Sequence, residues 1–346
     1  RREMLDLRAR QFSMAALLAL LFVAGPLSAG TGIALFNVKD YGATGIKADD
    51  ARAAIQKTID ACAAARGGIV YLPPGEYTSG TLHMRSHVRF HLEAGATLYA
   101  SAKDKDYDKI ANQPGAGALL FGEDLVNISF EGRGTVDGEI EYEHRPDNIQ
   151  DWYIKDNKDL MLSLGKSIMR AFPRDYPEKR TLYPRMMLLL KCQDVRITGL
   201  TFKRSPSWTI NWYACERVVV DGIYIFSSLE DGVWEDGIDP DGCKDVLITN
   251  SVIETGDDAL VFYSTDIWGP RRPVENVTVT NCRFSSASSA IKFCDGNQGG
   301  IRKVLINNVA ITNSNRGIAF MTFDGGDVSD VIISNVTIDT RRFEWF

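Results

Sequence analysis

The sequence predicts an all-β fold, a right-handed single-stranded parallel β-helix with a helix capping its N-terminal end. Three observations carry that expectation: a strand motif recurring through the second half of the chain, one amphipathic helix near the start, and a globular composition. Of 346 residues, 45% are hydrophobic and 24% charged, which supports a large core and argues against disorder.

The motif reads apolar, any, apolar, any, then Asn or Gly. It begins at Val195, Val218, Val246, Val277, Val304 and Val331, with separations of 23, 28, 31, 27 and 27 residues. It closes on Gly199, Gly222, Asn250, Asn281, Asn308 and Asn335, and a weaker copy starts at Val126. Self-similarity at this period marks a solenoid or array. Alternation makes short strands with one face inward, and Asn or Gly suits a bend because both tolerate left-handed backbone. A propeller blade needs roughly 40 to 50 residues, and a leucine-rich horseshoe a leucine consensus, so both fit less well.

The helix is expected over Asp49–Arg66. Ile55, Ile59 and Cys62 or Ala63 share a face, Asp49 or Asp50 can cap it, and Gly67-Gly68 stops it. It is placed to cover the open end of the stack. Cys192, Cys215 and Cys243 each lie three residues before the first valine of a repeat, so they should stack as a buried ladder at a spacing of roughly 4.8 Å, which does not forbid a disulfide.

At the N-terminus, Arg1, Arg2, Arg8 and Arg10 precede an apolar run from Met14 to Gly25, followed by small residues through Ala29. This is the layout of a signal peptide over 1–29, too short for an ordinary membrane span. The expectation is a periplasmic or secreted protein without stable membrane insertion, acting as a monomer, with one domain over 30–346. Within it, 139–184 reads as a polar, aromatic loop insertion. The ending Arg342-Phe343-Glu344-Trp345-Phe346 is read as stopping short of a C-terminal cap.

Charge bounds the partner. Acidic residues (45) exceed basic ones (39), a formal net charge of −6, so a nucleic-acid partner is disfavoured. An acidic polymer would be repelled unless the cleft were locally basic. Four histidines and six scattered cysteines argue against a zinc-ligand cluster, and neither metal nor cofactor is expected.

The densest chemistry lies between Glu230 and Thr265. Asp236 precedes Asp257-Asp258 by about one coil, which brings three carboxylates together on an outward face. They cannot all ionise normally, so at least one pKa should rise, as acid–base cleavage of a glycosidic bond requires. The competing readings of such a cluster are a calcium site or a solvated acidic turn, and Asp239, Asp241 and Asp295 are read as structural turn residues.

These motifs resemble glycoside hydrolase family 28, the pectin-degrading polygalacturonase family. FNVKDYGATG, GGIVYLPPGEYTSGTLHMRSHV and LEAGATLYAS look like its entry segment, which other β-helix enzymes share. SPSWTINWYAC, DGIDPDGCKDV and TGDDALVF are more specific. The family's Asn-Thr-Asp appears as Trp234-Glu235-Asp236. The resemblance implies Asp257 as general acid, Asp236 and Asp258 as activators of water, and inverting single displacement on a pectic, galacturonic acid-containing polysaccharide of the cell wall. Two family features are absent. Counted from the Asn bends, the Gly-His-Gly falls at Ser288-Ser289-Ala290, with Ser289 in place of histidine, and the Arg-x-Lys at Ala319-Phe320-Met321. Lys292, with Arg316, is expected to replace the lost cations on the substrate, unless Lys292 is merely ion-paired. Trp208, Trp212, Tyr213, Trp234 and Tyr263, with Trp152-Tyr153, are candidate sugar platforms. A β-helix polysaccharide lyase and a non-catalytic carbohydrate-binding β-helix remain open alternatives.

Overall fold

In the computed structural model every strand pairing between coils is parallel, and the chain winds as a right-handed β-helix. Right-handedness is the usual sense of a parallel crossover. The structure describes residues 33–110, 117–139, 184–229, 232, 234–294, 296–322 and 325–341. The expected signal peptide, nearly all of the insertion, Asp295 and the last five residues lie outside these. Residues 34–346 form one unit, and the account below concerns it.

The recurring motif is the first face of the coil. Val195 pairs with Val218, Val218 with Val246, Val246 with Val277, Val277 with Val304, and Val304 with Val331. From Val195 through Val304 these side chains are buried. Each such burial contributes about 1.5–3 kcal/mol. The closing Gly199, Gly222, Asn250, Asn281, Asn308 and Asn335 all have φ between 52° and 71°, the left-handed bend expected of them. Their amides also link the coils: Asn250 Nδ2 donates to Asp221 Oδ1 (2.8 Å), and Asn308 Nδ2 to Asn281 Oδ1 (2.7 Å).

The weaker copy is displaced by two residues from the expectation. Ile128, not Val126, pairs with Val195, and Val126 is 38% exposed. A second bend explains the shift. The residue before each first valine is also left-handed (Asp194, Arg217, Asp245, Asn276, Lys303 and Asp330), and Asn127 before Ile128 matches it.

A second face runs through Gly75–Ser79, Ala96–Ala100, Thr135–Asp137, Thr201–Lys203, Tyr224–Phe226 and Val252–Thr255. In the last coils it merges with the first face in the long strands Val274–Ser286, Ile301–Ser314 and Val328–Thr340. The third face is a separate sheet: Leu82–His83, Ala118–Glu123, Arg185–Leu190, Ile210–Tyr213, Ile238–Asp241, Leu260–Phe262, Ser289–Phe293 and Arg316–Phe320.

Helix α1 (Arg52–Ala64) buries Ile55, Thr58, Ile59 and Cys62 against the first strands, so it caps the stack as expected. Ala51 occupies its N-cap position, while Asp50 accepts from the Arg52 amide at 2.9 Å. Cys192, Cys215 and Cys243 are fully buried, and all six cysteines are free thiols. At the far end, Ile332 and Ile338 on the last strand are 62% and 52% exposed. No helix among the described residues is long and apolar enough to cross a membrane.

Candidate active site

The third face positions the chemistry through its register. The inward residues Met187, Ile210, Ile238, Leu260, Ile291 and Ile318 pair in succession, coil to coil. Two residues before each stand Arg185, Trp208, Asp236, Asp258, Ser289 and Arg316, one member per coil. One residue after each stand Leu188, Asn211, Asp239, Val261, Lys292 and Ala319 on the outward side, since strand residues alternate. The expected alignment of Asp258 with Ser289 and Arg316, and of Lys292 with Ala319, is therefore what the sheet contains.

Asp236, Asp257 and Asp258 converge: one oxygen of each lies within 4.8 Å of the others. The Asp258 amide donates to Asp236 Oδ1 (3.1 Å) and to Asp257 Oδ1 (2.9 Å), and the Trp234 amide donates to Asp257 Oδ2 (3.3 Å). The Ser289 amide donates to Asp258 Oδ1 (2.8 Å), and Lys292 Nζ to its Oδ2 (3.1 Å). Asp236 and Asp258 are buried; Asp257 is partly exposed and faces the cleft. Burial, then the charge of Asp258, raises the Asp257 carboxyl to about 7, against the opposing pull of Lys292 and two amides. Burial, then Asp257, Asp239 and Asp258, holds Asp236 well above the ordinary carboxylate range. Such a trio holds at least one proton near neutral pH. It is also the one group among the described residues spaced to bridge a cation.

Lys292 is ion-paired with Asp258 and largely buried. Burial alone would lower its pKa, but Asp258, Cys294 and Asp257 outweigh that and raise it. Arg316 donates from Nε to Ser289 Oγ (2.9 Å) and from Nη2 to Ser288 Oγ (2.8 Å). Ser289 is fully buried, so it holds Asp258 and Arg316 in place rather than lining the groove. Asp241, read as a turn residue, instead ends the strand Ile238–Asp241 and accepts the Thr265 amide at 2.8 Å.

Asp239 departs from its turn reading. It sits within a strand, fully buried, with both carboxylate oxygens unpartnered, and burial followed by Asp258 raises its pKa well above normal. Trp212 is corrected as well: it pairs with Pro240, points inward and is wholly core. Trp234 is 42% exposed beside Asp257, and Tyr263 stacks on Trp208 at 5.6 Å between ring centroids. Tyr213 is buried, its hydroxyl donating to the Pro270 carbonyl. Trp152 and Tyr153 lie outside the described residues.

Arg185 escaped the sequence reading. Its guanidinium lies against two indoles, 4.7 Å from the Trp208 ring and 5.1 Å from the Trp268 ring. Burial lowers its pKa to about 10, with Asp239 and Asp236 opposing, so it is charged at neutral pH. The available signal was register: Arg185 lies two residues before an inward position, as Asp236 and Asp258 do.

Residues 174–340 match the model for glycosyl hydrolases family 28. That match spans just under half of the chain. Residues 35–91 also match the model described as rhamnogalacturonase A/epimerase, pectate lyase-like. The chain is 25% identical over 78% of its length to an exo-poly-alpha-D-galacturonosidase of Dickeya chrysanthemi, and 25% identical over 57% to a probable polygalacturonase of Vitis vinifera. It spans only 49% and 37% of those relatives. Among solved structures, a hyperthermoactive exopolygalacturonase from Thermotoga maritima shares the fold with a TM-score of 0.69 and 23% identity, covering 89% of this chain and 75% of that one.

Proposed function

We propose that the protein hydrolyses glycosidic bonds in pectic, galacturonic acid-containing polysaccharide outside the cytoplasm, in the periplasm or after secretion. The observation that carries this reading is the convergence of Asp236, Asp257 and Asp258, with the partly exposed Asp257 raised to about 7, within the segment that matches the family 28 model. Asp257 gives its proton to the leaving oxygen. Asp236 and Asp258 take a proton from the attacking water, which makes the new bond as the glycosidic bond breaks. Lys292 stands next to Asp258 and faces the groove, where it orients Asp258 and neutralises a substrate carboxylate. Unchanged Michaelis constants in Lys292→Ala would remove the second role.

Inversion follows from the family resemblance. The oxygens here approach more closely than the roughly 6.5–9.5 Å usual for inverting carboxyl pairs, so product stereochemistry is a sharp test. Defined galacturonide oligomers should yield a saturated product of inverted anomer, and Asp257→Asn should abolish cleavage while the fold melts normally. An unsaturated, ultraviolet-absorbing product would mean a lyase. Failure to cleave any member of a pectic panel would favour a binding module.

A further inference from the structure

The strongest unassigned group in the cleft is the Arg185 guanidinium. It occupies the same row as Asp236 and Asp258, two coils before Asp236 with Trp208 between, a separation of about 10 Å at the usual strand spacing. Trp208 and Trp268 both lie against it, and Tyr263 stacks on Trp208. Those contacts restrain the fork, so little freedom remains to be lost when it meets a ligand. Among the described residues, no ion pair engages the guanidinium, and its buried Nε has no hydrogen-bond partner. The buried Nε1 of Trp268 is likewise unpartnered. Leaving charged donors unsatisfied is costly, and the fork is matched by a planar, two-oxygen acceptor. Beyond Trp268, the same face continues into a cavity of about 410 Å³ lined by His83, Phe121, Lys191 and Trp268, among others.

We propose that Arg185 is a substrate-binding residue that grips the carboxylate of a uronic acid unit lying on the Trp208 side of the scissile bond. This rests on the pectic reading above and assigns to one residue the recognition of charge on that side. Arg316 lies at the opposite end of the row, beyond Ser289.

The test compares trigalacturonate with its methyl ester, which keeps the sugar and removes the charge. Arg185→Met should raise KM for trigalacturonate by about 10- to 100-fold while KM for the ester changes less than threefold. Arg185→Lys should fall between, because it restores charge without the planar fork. Equal rises on both substrates, an unchanged KM, or a loss confined to kcat with a moved pH profile would overturn the proposal. The last result would place Arg185 as a partner of Asp239 and Asp236 instead. Should Arg185→Met fail to fold, Arg185→Lys carries the same comparison. If the parent cleaves neither substrate, calorimetry of trigalacturonate binding separates the two ideas. Arg185-dependent binding keeps this proposal while the hydrolase reading falls; binding indifferent to Arg185 ends it.

Discussion

At the scale of single residues, the site is a problem of protons held in confinement. Asp257 near 7 is protonated below neutrality and loses its proton above it, so the acid role proposed for it ends as pH rises. The rate of bond cleavage should therefore fall through about pH 7, and a kcat profile flat to pH 9 would exclude Asp257 as the acid. Asp239 makes the same point for stability. Its folded pKa lies above its unfolded one, so the folded state keeps a proton that the unfolded state has released. Stability is intact below about pH 4 and declines as pH rises toward the folded pKa, by up to about 1.4 kcal/mol per pH unit. Asp239→Asn should melt higher than the parent at pH 8 and about equally at pH 4. Asp236, Asp257 and Asp258 were legible from spacing and resemblance. Arg185 and Asp239 were not, because their character comes from what other coils place against them: two indoles in one case, burial beside Asp258 and Asp257 in the other.

At the scale of elements, the bends matter as much as the strands. The Asn bends were readable because Asn tolerates left-handed backbone and hydrogen-bonds to its neighbour in the stack. The second set was hidden, since Arg217 and Lys303 adopt φ of 55° and 57° that their side chains do not favour. Stacking imposes that conformation at about 1–2 kcal/mol per residue. The misplaced start at Val126 has this origin, for without the second bend nothing distinguished it from Ile128. Asn281→Ala should lose both the left-handed tolerance and the bridging amide, lowering stability by about 1–3 kcal/mol, whereas Asn281→Gly should lose less. Chemical denaturation distinguishes them, and equal losses would assign the whole effect to the amide. The cap helix was read correctly in type, face and place, within three residues at each end.

At the scale of the whole molecule, a net charge of −6 opposes an acidic polymer at long range while buried cations attract it at contact. Salt weakens these unequally. The Debye length shrinks from about 30 Å at 0.01 M to about 8 Å at 0.15 M, which screens the distant surface charge far more than a buried contact. Accordingly kcat/KM on a galacturonide should rise between those ionic strengths while the methyl ester stays level; a fall would mean that local attraction already dominates capture. The acidic balance that first argued against an acidic partner is thus set against cations too few to alter the total.

A stack of coils with a fixed repeat is also a ruler. Because Arg185, Trp208, Asp236, Asp258, Ser289 and Arg316 are carried by successive turns, the gap between the proposed charge-reading and bond-breaking groups is counted in whole coils. Inserting or deleting one complete turn would move the reading head by about 4.8 Å and leave the cutting head untouched. Lineages with this architecture can therefore retune which unit of a chain is read without redesigning how the bond is cut.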